Sequence, residues 1–139
     1  MRRCRGLVVL CTLQLAGCAD FARWVRQYTY PPEFHYRERD DIRTAMYRLA
    51  LHARELNQLL RSDDDNQAKR CEIVAHLKAM DEVAETLDQS GAPSNHPLID
   101  MNLPRLRREL KFAQQAVERE PPNFLTASSV TGACVYCHA

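Results

Sequence analysis

From residue 36 onward, apolar side chains recur three and four residues apart, the spacing at which one face of an α-helix is buried. Ile42, Ala45/Met46, Leu49, Ala53, Leu56 and Leu60 form the first such stripe, with Asp40 or Asp41 as its N-cap. Ser62-Asp63-Asp64-Asp65-Asn66 breaks the pattern and caps a second stripe, Ile73, Leu77, Met80, Ala84 and Leu87, which Gly91-Ala92-Pro93 ends. A third runs Ile99, Leu103, Leu106, Leu110, Ala113 and Val117 and stops at Pro121-Pro122. Pro104 falls inside it, so this helix either starts there at its N1 position or is kinked by it. The closing stretch, 123–139, is rich in Thr, Ser and Val and weak by propensity, so a helix there depends on packing. No segment alternates with period two. The pattern predicts an all-α fold, an antiparallel up-down-up-down four-helix bundle with three helices of about 20 residues and a shorter fourth.

The N-terminus stands apart from this pattern. Arg2, Arg3 and Arg5 precede a short apolar run, Leu7 to Leu15, too short to span a bilayer and of the size of a secretory core. It ends in Leu15-Ala16-Gly17-Cys18, which resembles the lipobox of bacterial lipoproteins. That resemblance implies cleavage before Cys18 and a thioether from its thiol to diacylglycerol, and two or three acyl chains give stable membrane attachment. The expected division is therefore a signal peptide over 1–17, a lipidated cysteine and tether over 18–35, and one helical domain over 36–139. The tether, with Trp24, Tyr28, Tyr30 and Pro31-Pro32, suits a partly extended spacer, its aromatics fitting either the membrane interface or the bundle surface.

Charge and cysteine usage follow from that processing. Residues 1–17 carry three of the 19 basic side chains and none of the 18 acidic ones, which leaves the mature chain slightly acidic. No basic excess points to nucleic acid. Lipoprotein export implies the oxidising cell envelope, facing the periplasm. Ala19, where enteric bacteria use Asp for inner-membrane retention, leans towards the outer membrane. Cys4 and Cys11 leave with the signal and Cys18 takes lipid. Cys71, the one thiol outside any motif, reads as a small buried apolar residue.

The chemistry lies in Cys134-Val135-Tyr136-Cys137-His138. A Cys-x-x-Cys-His motif attaches haem c: two thiols add across the vinyl groups as thioethers, and the adjacent imidazole ligates the iron. A thioredoxin-like redox pair needs a βαβ context, and a zinc site needs further ligands at suitable spacing; neither is present in the sequence.

A pattern of three long helices and a short fourth, with a single such motif at the end of the last, resembles the cytochrome c′ family, the class II c-type cytochromes, over about residues 38–139. The resemblance implies one covalent haem c in the bundle near the C-terminal end of helix four, attached by Cys134 and Cys137, with His138 as proximal iron ligand. The family includes low-spin electron carriers with a methionine on helix one as sixth ligand, and five-coordinate members that bind NO or CO. In an antiparallel bundle the motif faces the start of helix one, the end of helix two and the start of helix three. Met46, on the inward stripe of helix one, is the first candidate for the distal ligand, and His96, before helix three, is the second. An iron without a protein ligand stays open as a third, with Met101 and His35 more remote. His52 and His76 are set too far along their helices, six residues separating His52 from Met46, or roughly 9 Å. Arg39, Arg43, Arg105 and Arg108 are candidates to pair with the haem propionates, and the run 105–108 to dock an acidic redox partner.

The expected function is a membrane-anchored one-electron carrier, not an enzyme, that serves a periplasmic or membrane redox protein. The alternatives are a five-coordinate gas-binding protein and an accessory lipoprotein with a structural haem. Members of the family often pair through helices one and two, so a homodimer stands among the partners, although no outward apolar stripe demands it.

Overall fold

The first long helix, α1 (Arg39–Arg61), buries Ala45, Leu49, Ala53 and Leu56, with Ile42, Met46, Leu59 and Leu60 packed beside them. Its N-cap is Glu38 rather than Asp40 or Asp41; those two acids occupy the first turn, where the exposed N–H groups favour negative charge. Ser62 ends the helix by turning its backbone N–H and hydroxyl onto the Leu59 carbonyl. The computed structural model describes residues 21–22, 24–26, 28–62, 67–88 and 92–138. The expected signal segment, Cys18, Ala19, the acidic loop 63–66 and Gly91 lie outside the described residues.

The second long helix, α2 (Gln67–Leu87), buries Ile73, Leu77, Met80, Val83, Ala84 and Leu87, the expected stripe with Val83 added. The third, α3 (Pro97–Glu118), starts with Pro97 in its first turn and runs on through Pro104. Proline at the first turn costs no bond, whereas Pro104 deprives the Asp100 carbonyl of its helical donor. Among the described residues all regular structure is helical, and the three long helices pack on one another, α2 touching both α1 and α3. Leu56, Ile73, Leu77, Val83, Leu110 and Val117 are fully buried between them.

The last segment is shorter than a full helix. A helix α4 (Leu125–Val130) of six residues packs on α3 and α1, and a 3₁₀ turn, Ala133–Tyr136, follows. Its composition gives the reason. Ser128, Ser129 and Thr131 each donate a hydroxyl to the carbonyl three residues back, a local bond that competes with the helical ladder.

Polar clasps set the register of the long helices. Arg70 at the start of α2 donates to the carbonyls of Val117, Glu118 and Arg119, satisfying the end of α3. Arg107 on α3 meets Asp81 and Glu85 on α2 and Asp88 just past its end, at 3.0, 3.2 and 2.9 Å. Early residues of one helix thus meet late residues of the other, so α2 and α3 run in opposite directions. Hydrogen bonds to Asp81 and Asp88 raise the Arg107 pKa, holding the guanidinium protonated.

A third clasp ties the segment before α1 to the start of α3. Arg37, with its side chain 7% exposed, places Nη1 2.6 Å from Asp100 Oδ1, and exchanges backbone bonds with the Asn95 side chain. Ser94 donates its backbone N–H and its hydroxyl to the same carboxylate.

The chain divides into two compact units, Met1–Phe34 and His35–Ala139. In the first, residues 21–22, 24–26 and 28–29 are helical, not extended as expected for the tether. Phe21, Trp24 and Tyr28, three and four apart, make successive ring contacts at 6.1 and 5.0 Å between centroids. That spacing lets one helix face carry the row. No helix among the described residues is long and apolar enough to cross a membrane.

Burial pushes the Asp100 carboxyl up, but the bonds from Ser94 and the charge of Arg37 outweigh it and leave it below its ordinary value. A depressed carboxylate contributes stability that is complete above about pH 4 and is lost as the pH falls through its folded value. Asp100→Asn therefore lowers stability at neutral pH by about 3 kcal/mol, the lower end for a buried pair that loses one charge, because Arg37 stays buried without its counter-ion. Denaturant titrations of parent and variant converge as the pH falls through the folded-state value of Asp100; a difference that stays constant through the acid range contradicts this account.

Candidate functional site

The 3₁₀ turn decides how the C-terminal motif is presented. Residues i and i+3 eclipse one another in such a turn, so Cys134 and Cys137 fall on one side. The backbone N–H groups of Cys137 and His138 both return to the Cys134 carbonyl, at 3.3 and 3.2 Å. Neither thiol is in a disulfide. Burial pushes the Cys137 thiol up, and neighbouring Cys134 adds to the shift.

Cys134, Cys137 and His138 line a cavity of about 320 Å³. Leu49 and Ala50 of α1 and Ile99, Leu103 and Leu106 of α3 wall it, with Val130 and Ala133 from the final segment. Two thioethers join them, Met46 of α1 and Met80 of α2. The wall is almost wholly apolar, in the manner of sites that bury a flat organic ligand, and its volume lies at the lower end of ligand pockets, ~300–1,000 Å³. Two thiols and one imidazole on an apolar wall are the groups that attach a covalent haem and ligate its iron, and Met46 and Met80 add thioethers that could serve as a further ligand. The residues present fit that group.

Of the two named distal candidates, Met46 lines this cavity and His96 does not. His96 instead caps α3: its carbonyl accepts from Ile99 and Asp100, and its N–H donates to the Ser94 hydroxyl. Met101 is 73% exposed. His35 makes an isolated backbone bridge to Ser94 and donates its N–H to the Pro93 carbonyl. His52 and His76 lie together on the α1–α2 seam, outside the cavity lining; burial lowers the His52 pKa, and His76 lowers it further. Met80 belongs to the site although its place on the core stripe of α2 marked it only as packing.

Two of the arginines named as propionate partners have acidic neighbours of their own. None of Arg39, Arg43, Arg105 and Arg108 lines the cavity. Arg43 sits 3.5 Å from Asp40, and Arg105 bonds Glu109 at 3.0 Å. With Arg107 also neutralised by α2 acids, the run 105–108 is not a uniformly free basic patch. Cys71, expected to be buried, is exposed: two residues from the buried Ile73, it falls on the opposite side of α2.

What fastens the motif to the bundle is Tyr136, inside the Cys-x-x-Cys spacer. Its hydroxyl meets both Glu109 carboxylate oxygens at 3.1 Å, while the Arg105 guanidinium lies 3.9 Å from its ring centroid. Glu109 holds Arg105 in turn, so three side chains close a clasp between α3 and the motif. Spacing along the chain gives no signal for a contact across 27 residues.

Comparison with protein-family models, with curated proteins and with solved structures returns no match for this chain. The chemistry of the site is therefore argued from its own residues.

Tyr136→Phe keeps the ring under Arg105 and removes one bond to a charged acceptor, a loss of about 1.5–3 kcal/mol when the acceptor is fully buried and less here. Amide exchange of residues 133–138 should quicken several-fold while the long helices stay protected. Unchanged exchange in that segment contradicts the clasp.

Proposed function

We propose that this chain is a membrane-anchored monohaem c-type cytochrome that carries single electrons in the bacterial cell envelope. The observation that supports it most is the convergence on one apolar cavity of Cys134, Cys137, His138 and Met46, side chains from the two ends of the helical domain. Bound there, haem supplies a one-electron iron couple. Cys134 and Cys137 offer thiols from eclipsed positions for thioether attachment. His138 would supply an imidazole and Met46 a thioether to the haem iron. Leu49, Ile99, Leu103, Leu106 and Val130 exclude water, and burial of this kind is one of the levers on reduction potential.

In this reading α4 and its 3₁₀ extension are the short fourth member of an antiparallel four-helix bundle of the cytochrome c′ type. Cys18 carries the lipid, with the domain facing the periplasm and Ala19 favouring the outer membrane. The partner is a periplasmic or membrane redox protein, and the chain acts as a carrier rather than as an enzyme.

The spin state of the ferric protein tests the carrier reading. Absorption and EPR spectra at neutral pH should be low-spin, and Met46→Ala should turn them high-spin. A parent that is already high-spin contradicts the carrier and favours an open site for NO or CO. A low-spin spectrum unchanged by Met46→Ala but lost in Met80→Ala moves the ligand to α2. For the anchor, palmitate labelling should be present in the parent and absent in Cys18→Ser; equal labelling removes it.

A further inference from the structure

Three large rings stand in the open on the short helix of the N-terminal unit. Phe21, Trp24 and Tyr28 are 64, 55 and 74% exposed, although each touches the next, with centroids 6.1 and 5.0 Å apart. A ring side chain carries roughly 200 Å², so the three leave on the order of 400 Å² of contiguous aromatic surface uncovered. A patch of that size marks a contact with protein or with membrane.

The helix is amphipathic about this row. At about 3.6 residues per turn, Arg26, two residues from both Trp24 and Tyr28, falls on the opposite side. The last turn meets part of its hydrogen-bonding need internally. Thr29 donates its hydroxyl to the Val25 carbonyl, and Tyr30 its N–H to the Arg26 carbonyl, each at 3.1 Å. Such internal pairing suits a surface poor in water.

Chain length and ring chemistry choose between the two kinds of contact. Only Ala19 and Asp20 separate Phe21 from Cys18. Three residues reach about 10 Å at most, so an acylated Cys18 keeps the start of the helix beside the polar margin of the bilayer. Trp and Tyr, each an apolar ring with a polar edge, are the residue types that settle at that margin. Residues 21–29 rise about 14 Å, against a hydrocarbon core of about 30 Å, so this helix lies along the surface rather than across it.

We propose that residues 21–29 form an interfacial helix, with the Phe21, Trp24 and Tyr28 row seated among the headgroups and upper acyl chains of the bilayer that holds Cys18. Its placement there rests on the acylation of Cys18. The row adds a non-covalent hold beside the acyl chains, and the free tether begins only after Thr29.

Trp24 is the single tryptophan of the chain and reports its own position. The acylated mature chain, with Cys134 and Cys137 replaced by Ala so that haem does not quench the indole, is bound to vesicles of phosphatidylethanolamine and phosphatidylglycerol. Trp24 should emit at shorter wavelength there than in the unacylated mature chain, Cys18→Ser without residues 1–17, kept free of vesicles. Lipids brominated near the top of their acyl chains should quench it about twofold or more. Given the same vesicles, the unacylated chain should bind weakly, and Phe21→Ala with Tyr28→Ala should weaken that binding tenfold or more. A palmitate-labelled, vesicle-bound chain whose Trp24 emits as in water and escapes the brominated lipid overturns the interfacial helix and leaves the anchor intact. Emission already shifted without vesicles overturns it too, because protein then covers the row. Where palmitate labelling fails, the anchor falls and the unacylated chain decides the helix alone: no binding up to millimolar lipid overturns it.

Discussion

Residues 125–138 form little structure by their own strength, and the cavity lined by Cys134, Cys137 and His138 depends on how they are held. Six residues of α-helix and four of 3₁₀ turn are too few to persist alone in water. Val130 and Ala133 bury their side chains in the core, and Tyr136 closes on Glu109 and Arg105. These contacts make the 3₁₀ geometry permanent enough to matter. Its eclipsed i and i+3 positions then deliver Cys134 and Cys137 to one cavity wall.

That wall has a second side, and the long helices supply it. Met46 and Met80 lie on different helices, and they share the cavity only because α1, α2 and α3 are held in register. Apolar packing alone tolerates sliding, since one helical turn of displacement offers similar grooves. Arg70, Arg107 and the Arg37–Asp100 pair are directional, and each ties elements distant in sequence. Their energetic worth is modest where solvent reaches them. Their geometric worth is to leave one register open.

Much of this was legible in the chain. The inward stripes of α1, α2 and α3 follow from spacing, because burial on a helix is a matter of period. Met46 could be set opposite the motif by counting residues along antiparallel helices. What spacing cannot express is the partner of a polar group. Arg107 looked like part of a docking patch, yet Asp81 and Glu85 of α2 and Asp88 beyond it surround its guanidinium. Tyr136 looked like spacer. The fourth helix was expected to be short, yet its conversion to a 3₁₀ turn comes from hydroxyls that bond locally, a competition that propensity only hints at. Cys71 was misjudged because rarity of exposed thiols was weighed above its angle on α2, which puts it opposite Ile73. In the N-terminal unit, Pro31-Pro32 suggested extension, whereas the aromatic row ahead of them is helical.

The account stands on covalent attachment at Cys134 and Cys137. Intact mass spectrometry of the protein, produced in a host with cytochrome c maturation and washed with acidified organic solvent, tests it most directly. The prediction is one haem retained per chain, and none when both cysteines are replaced by alanine. A parent chain that emerges at its polypeptide-plus-lipid mass, with all haem in the solvent, contradicts it.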